Sequence, residues 1–388
     1  MTKSWTMLAL ATSALISTAR AACVDINQYL DIPSPMTGDM EINLDAVDAI
    51  ECQEIEAFDE PIELEIVTVD GGTLTLKSSN SVRFVNMGFT VKNGASIVFD
   101  MPKTKFGPNT FGSHRGRHYS VTVAVEEGAS ATFVGQVLTE EVTNVFSLFT
   151  NAGNIEFKDS FVVKDSGNVF RLNTGVTKFG GDATFKDNRY LALQTLDSAY
   201  VTFEKKASFD NNAHNFDGAG GCSVTNEDTS TVIFRGDATF LNNACKESAA
   251  VSNEGTMTFE KQAYFNDNWN NFDGGGVTNW SGTILFKENA QFNDNTASEG
   301  AGIYVRDGKV TFNKAVLFDG NTAKTGAAFA IGDGGSLTFK KPSDVISKNA
   351  MLSTYSNEQS CTFGEVSDGA TLIGFTGDDV CIPAGDAA

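Results

Sequence analysis

One spacing constrains this fold more than any other sequence feature: a phenylalanine, five residues, a second phenylalanine, two residues, and an asparagine. Six copies lie between residues 179 and 321, and successive asparagines are 24 to 31 residues apart. The copies are Phe179–Phe185–Asn188, Phe203–Phe209–Asn212, Phe234–Phe240–Asn243, Phe259–Phe265–Asn268, Phe286–Phe292–Asn295 and Phe312–Phe318–Asn321. A fixed period of this length indicates a solenoid built from stacked structural repeats.

Two further landmarks accompany each copy. A cluster of Gly or Ala follows the asparagine by five or six residues, as in Gly274 to Val277 and Gly300 to Ile303. A Gly-x-apolar-x-Phe segment then opens the next unit, as in Gly255 to Phe259. Looser copies of this last segment begin near residue 94 and continue to residue 375. From the number of these copies we expect about eleven to thirteen coils, which form one domain.

Three short strands and three turns in about 25 residues form one coil of a parallel β-helix. The sequence predicts an all-β chain, a right-handed parallel β-helix with pectate-lyase-like solenoid architecture and capped ends. Phenylalanines at one position in successive coils should stack inside it. The asparagines should adopt left-handed turn geometry, with their side-chain amides hydrogen-bonded from coil to coil.

The two ends of the chain differ from the coils in composition. Residues 1–21 read as a secretory signal peptide, with Lys3, an apolar run from Met7 to Ile16 and an Ala-x-Ala site before residue 22. Residues 22–66 are predicted to be an acidic N-terminal cap, residues 67–354 the coils, and residues 355–388 a C-terminal coil and cap. We expect a protein that is secreted, either extracellular or on the cell surface.

Charge and hydropathy exclude some partners. The formal net charge is −21, so the surface should repel nucleic acid and anionic lipid. No apolar stretch of eighteen residues is present, so we predict no transmembrane helix. Solubility explains the acidity, and attraction of divalent cations is the alternative.

Six cysteines follow the signal segment, and an even number in an exported chain indicates disulfides. They form three local pairs in the sequence, one at each end and one in the middle. The predicted disulfides are Cys23–Cys52, Cys222–Cys245 and Cys361–Cys381. Other pairings of the six remain open.

Phe-x-x-Asn followed by Gly-Gly-(Ala/Val/Ile) resembles the repeat of the chlamydial polymorphic outer membrane proteins. Similar repeats occur in secreted β-helix proteins of algae and oomycetes. The resemblance covers residues 179–330 well and residues 90–375 loosely. It implies a β-helix at the cell exterior with an adhesive role. The C-terminal membrane barrel of the chlamydial family is not expected here, because the segment after residue 330 is short.

The segment from Met101 to His118 is basic within an acidic protein and interrupts the coil spacing, so it should project as a loop. Its basic side chains are Lys103, Lys105, His114, Arg115, Arg117 and His118. One interpretation is a loop that binds an anion, a glycan or the acidic flank of another copy. The other is a solvated loop with incidental charge. Zinc binding by the two histidines is disfavoured, because no third ligand is evident.

Two other polar patterns are candidate sites. Asp187, Asp267 and Asp294 precede landmark asparagines and would form a carboxylate row suited to calcium, although an ordinary polar turn is the favoured interpretation. Asp217, Asp273 and Glu299, each just ahead of a Gly/Ala cluster, are likewise interpreted as polar turns. Asn279 begins an Asn-x-Ser sequon, which predicts a glycosylation site on an exposed turn. We predict no metal site and no cofactor, calcium being the alternative.

Function must be argued from sites, because one fold hosts many functions. Parallel β-helices include polysaccharide lyases, hydrolases and epimerases, which place acidic clusters beside a basic residue on one outer face. No such cluster is visible in the sequence, so we name no catalytic residue. We expect a non-catalytic protein with a structural, cell-wall or adhesive role, binding an extracellular glycan or protein or associating with itself. The alternative is a divergent polysaccharide-active enzyme.

Overall fold

The structure is a computed structural model. In it the chain forms two compact units, Met1–Asp182 and Ala183–Ala388. The residues it describes are 6–7, 38–45, 49–51, 65–85, 87–107, 121–142, 147–212, 223–245, 249–332, 334–341, 345–351, 364–366, 371–373 and 380–381. They contain strands and turns and no helix. The strands pair in parallel and stack in three sheets within each unit. The predicted parallel β-solenoid is confirmed.

The three sheets of the first unit are named A1, B1 and C1, and consecutive coils supply neighbouring strands. Sheet A1 consists of Thr6–Met7, Met40–Asn43, Thr73–Lys77, Ser96–Asp100, Ser130–Phe133, Asn154–Phe157 and Val176–Phe179. Sheet B1 consists of Ala49–Glu51, Val82–Val85, Lys103–Phe106, Gln136–Glu140 and Phe161–Lys164. Sheet C1 consists of Glu65–Asp70, Met87–Lys92, Val121–Val125, Ser147–Asn151 and Phe170–Leu172.

The second unit has the corresponding sheets A2, B2 and C2. Sheet A2 consists of Tyr200–Phe203, Thr231–Phe234, Thr256–Phe259, Thr283–Phe286, Lys309–Phe312, Ser336–Phe339 and Thr371–Ile373. Sheet B2 consists of Ala183–Lys186, Ala207–Asp210, Ala238–Leu241, Ala263–Asn266, Ala290–Asn293, Val316–Ala323 and Val345–Met351. Sheet C2 consists of Leu193–Thr195, Val224–Asn226, Val251–Asn253, Val277–Asn279, Ile303–Val305, Phe329–Ile331, Gly364–Val366 and Val380–Cys381. Ala244–Cys245 also pairs with Trp269–Asn270.

Some residues of the predicted signal and cap segments form strands. Met40–Asn43 pairs with Leu74 to Lys77, and Ala49–Glu51 pairs with Arg83 to Val85, so parts of the predicted cap already belong to the sheets. Thr6–Met7, within the predicted signal segment, pairs with Glu41 and Ile42. The predicted boundary between cap and coils at residue 66 stays a prediction.

Alternation along each strand separates the core from the surface. In Thr256–Phe259, Met257 and Phe259 are buried, whereas Thr256 and Thr258 face outward. The residue-for-residue register places Phe259 beside Phe234 on one side and Phe286 on the other. Residues of one type at one repeat position therefore become neighbours in space.

The phenylalanines of the repeat form two stacks inside the second unit. Along sheet A2, ring centroids from Phe203 to Phe339 are 4.6–5.3 Å apart and nearly parallel. Along sheet B2, centroids from Phe185 to Phe318 are 4.6–5.1 Å apart. The stacks meet edge to face, as between Phe259 and Phe265 at 5.8 Å and 80°. Both geometries are favourable for aromatic rings, so the predicted interior stack is confirmed.

The landmark asparagines form a buried hydrogen-bonded ladder in the second unit. Each side-chain amide donates to the Oδ1 of the next asparagine toward the C-terminus, at 2.8–3.2 Å, from Asn188 to Asn321. From Asn212 onward, each also donates to a phenylalanine carbonyl of the preceding coil. Burial of these amides is tolerated because their hydrogen-bonding groups are paired.

The left-handed position of the turn lies one residue earlier than predicted. Asp187, Asn211, Asn242, Asp267 and Asp294 have φ of 53–55°, and each precedes its landmark asparagine. Asp and Asn tolerate this conformation better than other side chains with a Cβ. The landmark asparagine is therefore the ladder residue, and the residue before it makes the turn.

Candidate functional site

The described part of the basic segment contains a strand. Lys103–Phe106 is a strand of sheet B1, paired with Val82 to Phe84 and with Gln136 to Thr139, so a projecting loop is wrong for these residues. Lys103 and Lys105 are half-exposed on its outer face, and Lys105 is in register with Arg83. The alternation of Lys with Thr104 and Phe106, both buried, favours a strand. His114, Arg115, Arg117 and His118 lie outside the described residues.

The cysteine predictions fall mostly outside the described part of the chain. Cys23, Cys52, Cys222 and Cys361 are not among the described residues, and Cys381 ends the strand Val380–Cys381. Cys245 is buried, with its sulfur 3.3 Å from the carbonyl oxygen of Ala249. The three disulfides stay predictions.

Asn279 is not on an exposed turn, so that prediction is wrong. Its side chain is fully buried in a second asparagine ladder, in which Asn226 donates to Asn253 and Asn253 to Asn279, each at 2.7 Å. Its own amide donates to the carbonyl of Gly282 at 2.9 Å. A Cβ at Gly308 would overlap that amide nitrogen. The folded coil has no room for a glycan on Asn279.

The carboxylate row before the landmark asparagines is a turn feature. Burial, and secondarily the charge of Asp294, raise the pKa of Asp267. Within the described residues, no group of three or more His, Cys, Asp or Glu side chains is placed to hold a metal ion. The left-handed backbone explains the Asp and Asn preference at this position.

A different surface of the second unit brings together groups that are distant in sequence. Glu227, Glu254, Trp280 and Arg306 each follow a strand of sheet C2 whose residues are in register. Their backbone amides donate to the carbonyl of the preceding coil at 2.7–3.1 Å. They therefore form a row along the solenoid axis with a spacing of about 4.8 Å.

The aromatic part of this surface consists of Trp280 and Tyr304, whose ring centroids are 6.4 Å apart at 71°. The indole N–H of Trp280 donates to the hydroxyl of Ser252 at 3.2 Å, which fixes the ring against sheet C2. The guanidinium of Arg306 lies 5.6 Å from the indole centroid, a cation–π contact.

Two carboxylates from an adjacent turn complete the cluster. Asp273 and Glu299 pair as neighbours in successive coils. Burial raises the pKa of Asp273, although Arg306 opposes the shift. Burial, with Asp273 and Glu299 next in importance, raises the pKa of Tyr304 to about 12. Asp273 and Glu299 thus act electrostatically on the same phenol.

Glu227 and Glu254 form the acidic end of the row, where a second carboxyl group has a raised pKa. Burial, followed by the charges of Asp228 and Glu227, raises the pKa of Glu254. Arg306 has an ion pair with Asp307, Nε to Oδ2 at 3.7 Å, on an exposed surface. We name this surface the Trp280 strip. It comprises Glu227, Asp228, Glu254, Asp273, Trp280, Glu299, Tyr304, Arg306 and Asp307.

Sequence reasoning did not find the strip. In the sequence, Trp280 is only the middle residue of the sequon that begins at Asn279, and Asp273 and Glu299 have the features of polar turns. The usable signal was positional, since Glu227, Glu254, Trp280 and Arg306 hold one place in four successive units. Their residue types differ, so no motif marks that place.

No protein-family model, curated protein or solved structure matches this chain. The resemblance to the chlamydial repeat therefore rests on the quoted motif alone. In the described part of the chain, no helix is long and apolar enough to cross a membrane.

Proposed function

We propose that this protein is a secreted or cell-surface β-solenoid without catalytic activity, which binds an extracellular glycan through the Trp280 strip. The observation that carries the proposal is the half-buried pair of Trp280 and Tyr304 beside the carboxylates of Asp273 and Glu299 and the guanidinium of Arg306. Aromatic faces pack against the apolar faces of sugar rings, and polar groups at the edges bind their hydroxyls.

The scaffold supports this role because it fixes the position of Trp280. Trp280 is tied to Ser252, and its backbone is tied to Asn253 of the preceding coil. A preformed site avoids the entropic cost of ordering side chains on binding. A row along the axis also suits a linear polymer, whose units can occupy successive coils.

Binding of a glycan panel to the purified protein tests the proposal, with wild type compared with Trp280→Ala and Tyr304→Ala. Truncation of an aromatic anchor should weaken binding by about tenfold or more. Tyr200→Ala is the matched control, because Tyr200 is an exposed aromatic on sheet A2. Equal loss in the control, or binding that neither strip variant affects, would contradict the proposed site.

A divergent polysaccharide-active enzyme is the second candidate. The strip places Asp273, with its raised pKa, among Glu299, Tyr304 and Arg306, which is the acid-beside-base arrangement that such enzymes use. Incubation with pectate, alginate and neutral glycans tests this candidate. Release of shortened or unsaturated sugars, lost in Asp273→Asn, would establish the enzyme and end the non-catalytic proposal.

A further inference from the structure

The charge balance of the Trp280 strip restricts the kind of glycan it can bind. Six of its side chains are carboxylic acids, and Arg306 is its cation. Arg306 is already engaged with Asp307 and with the indole of Trp280. A uronate polymer would therefore meet predominantly negative charge, which is unfavourable.

The aromatic component gives an independent indication of the sign of the ligand. The indole face of Trp280 holds a guanidinium of its own chain, so this ring attracts a cation in the observed geometry. The negative face of an indole or phenol ring binds protonated amines in the same way. The carboxylates and the aromatic rings thus both favour a positively charged ligand.

We infer that the Trp280 strip selects a glycan of protonated amino sugars, such as a β-linked glucosamine polymer. This inference rests on the proposed glycan-binding function and specifies its substrate class. Burial raises the pKa of both Glu254 and Asp273, and a ligand ammonium group beside them would relieve that unfavourable charge.

The row spacing favours a glycan over a basic peptide. Successive residues of the row lie ~4.8 Å apart, one in each coil, whereas an extended peptide presents side chains on one face every ~6.7 Å. Lysines on one face of an extended peptide would therefore not match the one-coil separation of Glu227 and Glu254. A linear hexose polymer advances by a distance closer to one coil per sugar.

Calorimetric titration with three oligomers of equal length tests the inference: glucosamine, N-acetylglucosamine and galacturonate. The wild type should bind the glucosamine oligomer most tightly, with an affinity that falls as salt is added. Glu227→Gln combined with Glu254→Gln should weaken that binding about fivefold for each carboxylate removed. The control is Glu288→Gln with Asp319→Asn, which makes the same charge change elsewhere and should leave binding unchanged.

The outcomes separate this inference from the proposed function. The wild type could bind the N-acetylated oligomer as tightly as the glucosamine oligomer, or galacturonate more tightly. If Trp280→Ala abolished that binding, selection of amino sugars would be overturned and the proposed glycan site would stand. Binding of a polylysine peptide with no binding of any glycan would overturn both. No binding of any oligomer by protein with wild-type circular dichroism would likewise overturn both.

Discussion

Replacement of Asn268 by alanine tests how much the buried ladder contributes to the stability of the second unit. The Asn268 side chain accepts hydrogen bonds from the backbone N–H and amide of Asn243, at 3.1 and 3.0 Å. It donates to the carbonyl of Phe240 at 3.0 Å and to Oδ1 of Asn295 at 2.9 Å. Alanine would leave two donors of Asn243 buried without acceptors.

Each buried donor without a partner costs about 1–3 kcal/mol, so Asn268→Ala should lower the free energy of unfolding by about 2–6 kcal/mol. Asn268→Asp should be worse at neutral pH, because a carboxylate cannot donate to either oxygen. The pKa of the introduced acid would be raised in the folded state. Its penalty should therefore shrink as the pH falls through that pKa.

Guanidinium unfolding followed by circular dichroism measures these changes, provided the transition is two-state for each variant. Asn289→Ala is the control, because Asn289 is an exposed turn asparagine and its loss should change stability by less than about 0.5 kcal/mol. A loss below about 1 kcal/mol for Asn268→Ala would refute the ladder as a stabilising element. Equal stability of the Ala and Asp variants at neutral pH would refute the assigned donor direction.

Three further predictions concern the turn, the strip and the close approach of coils. Asp267→Asn should raise Tm at pH 7, because asparagine tolerates the left-handed backbone and removes a carboxylate whose pKa is raised in the folded protein. A group with a raised pKa destabilises the fold as the pH rises, so the gain in Tm should vanish well below pH 3.8. Calorimetry at pH 7 and at the low pH checks this. Absorbance titration should show a tyrosine ionising near pH 12 that Tyr304→Phe removes; an unchanged titration would contradict its burial beside Asp273. Gly302→Ala should lower stability by about 1–3 kcal/mol, because its Cβ would overlap the carbonyl of Ala328, and an unchanged Tm would contradict that packing.

The sequence was sufficient to predict the parts of the fold that depend on one residue type at one repeat position. Phe259 and Phe265 identify the inward-facing stacks because parallel in-register strands place like residues together. The ladder from Asn188 to Asn321 followed from the same periodicity. The left-handed residue was misplaced by one, because both Asp and Asn occur at that turn and either can adopt the conformation.

The strip could not be predicted in the same way. Trp280 precedes Tyr304 and Arg306 by 24 and 26 residues, and the three share no residue type. Only the register of sheet C2 makes them neighbours. Asn279 was misjudged for a related reason, since a sequon gives no information about which face of a strand carries its asparagine. Periodicity determines the interior, whereas the outer surface depends on pairs that the repeat does not specify.

The direction of the asparagine ladder has a consequence for how such a chain can change its length during evolution. Within the ladder from Asn188 to Asn321, each inner asparagine accepts a hydrogen bond from the coil before it and donates one to the coil after it. A duplicated coil would therefore have matching hydrogen-bond partners on both sides. If a coil were deleted, the two coils that flanked it would likewise match each other. Insertion of one residue inside a strand would instead exchange inner and outer faces. The coil is thus a natural unit of gene duplication, and new surface patches arise where duplicated coils diverge on their outer faces.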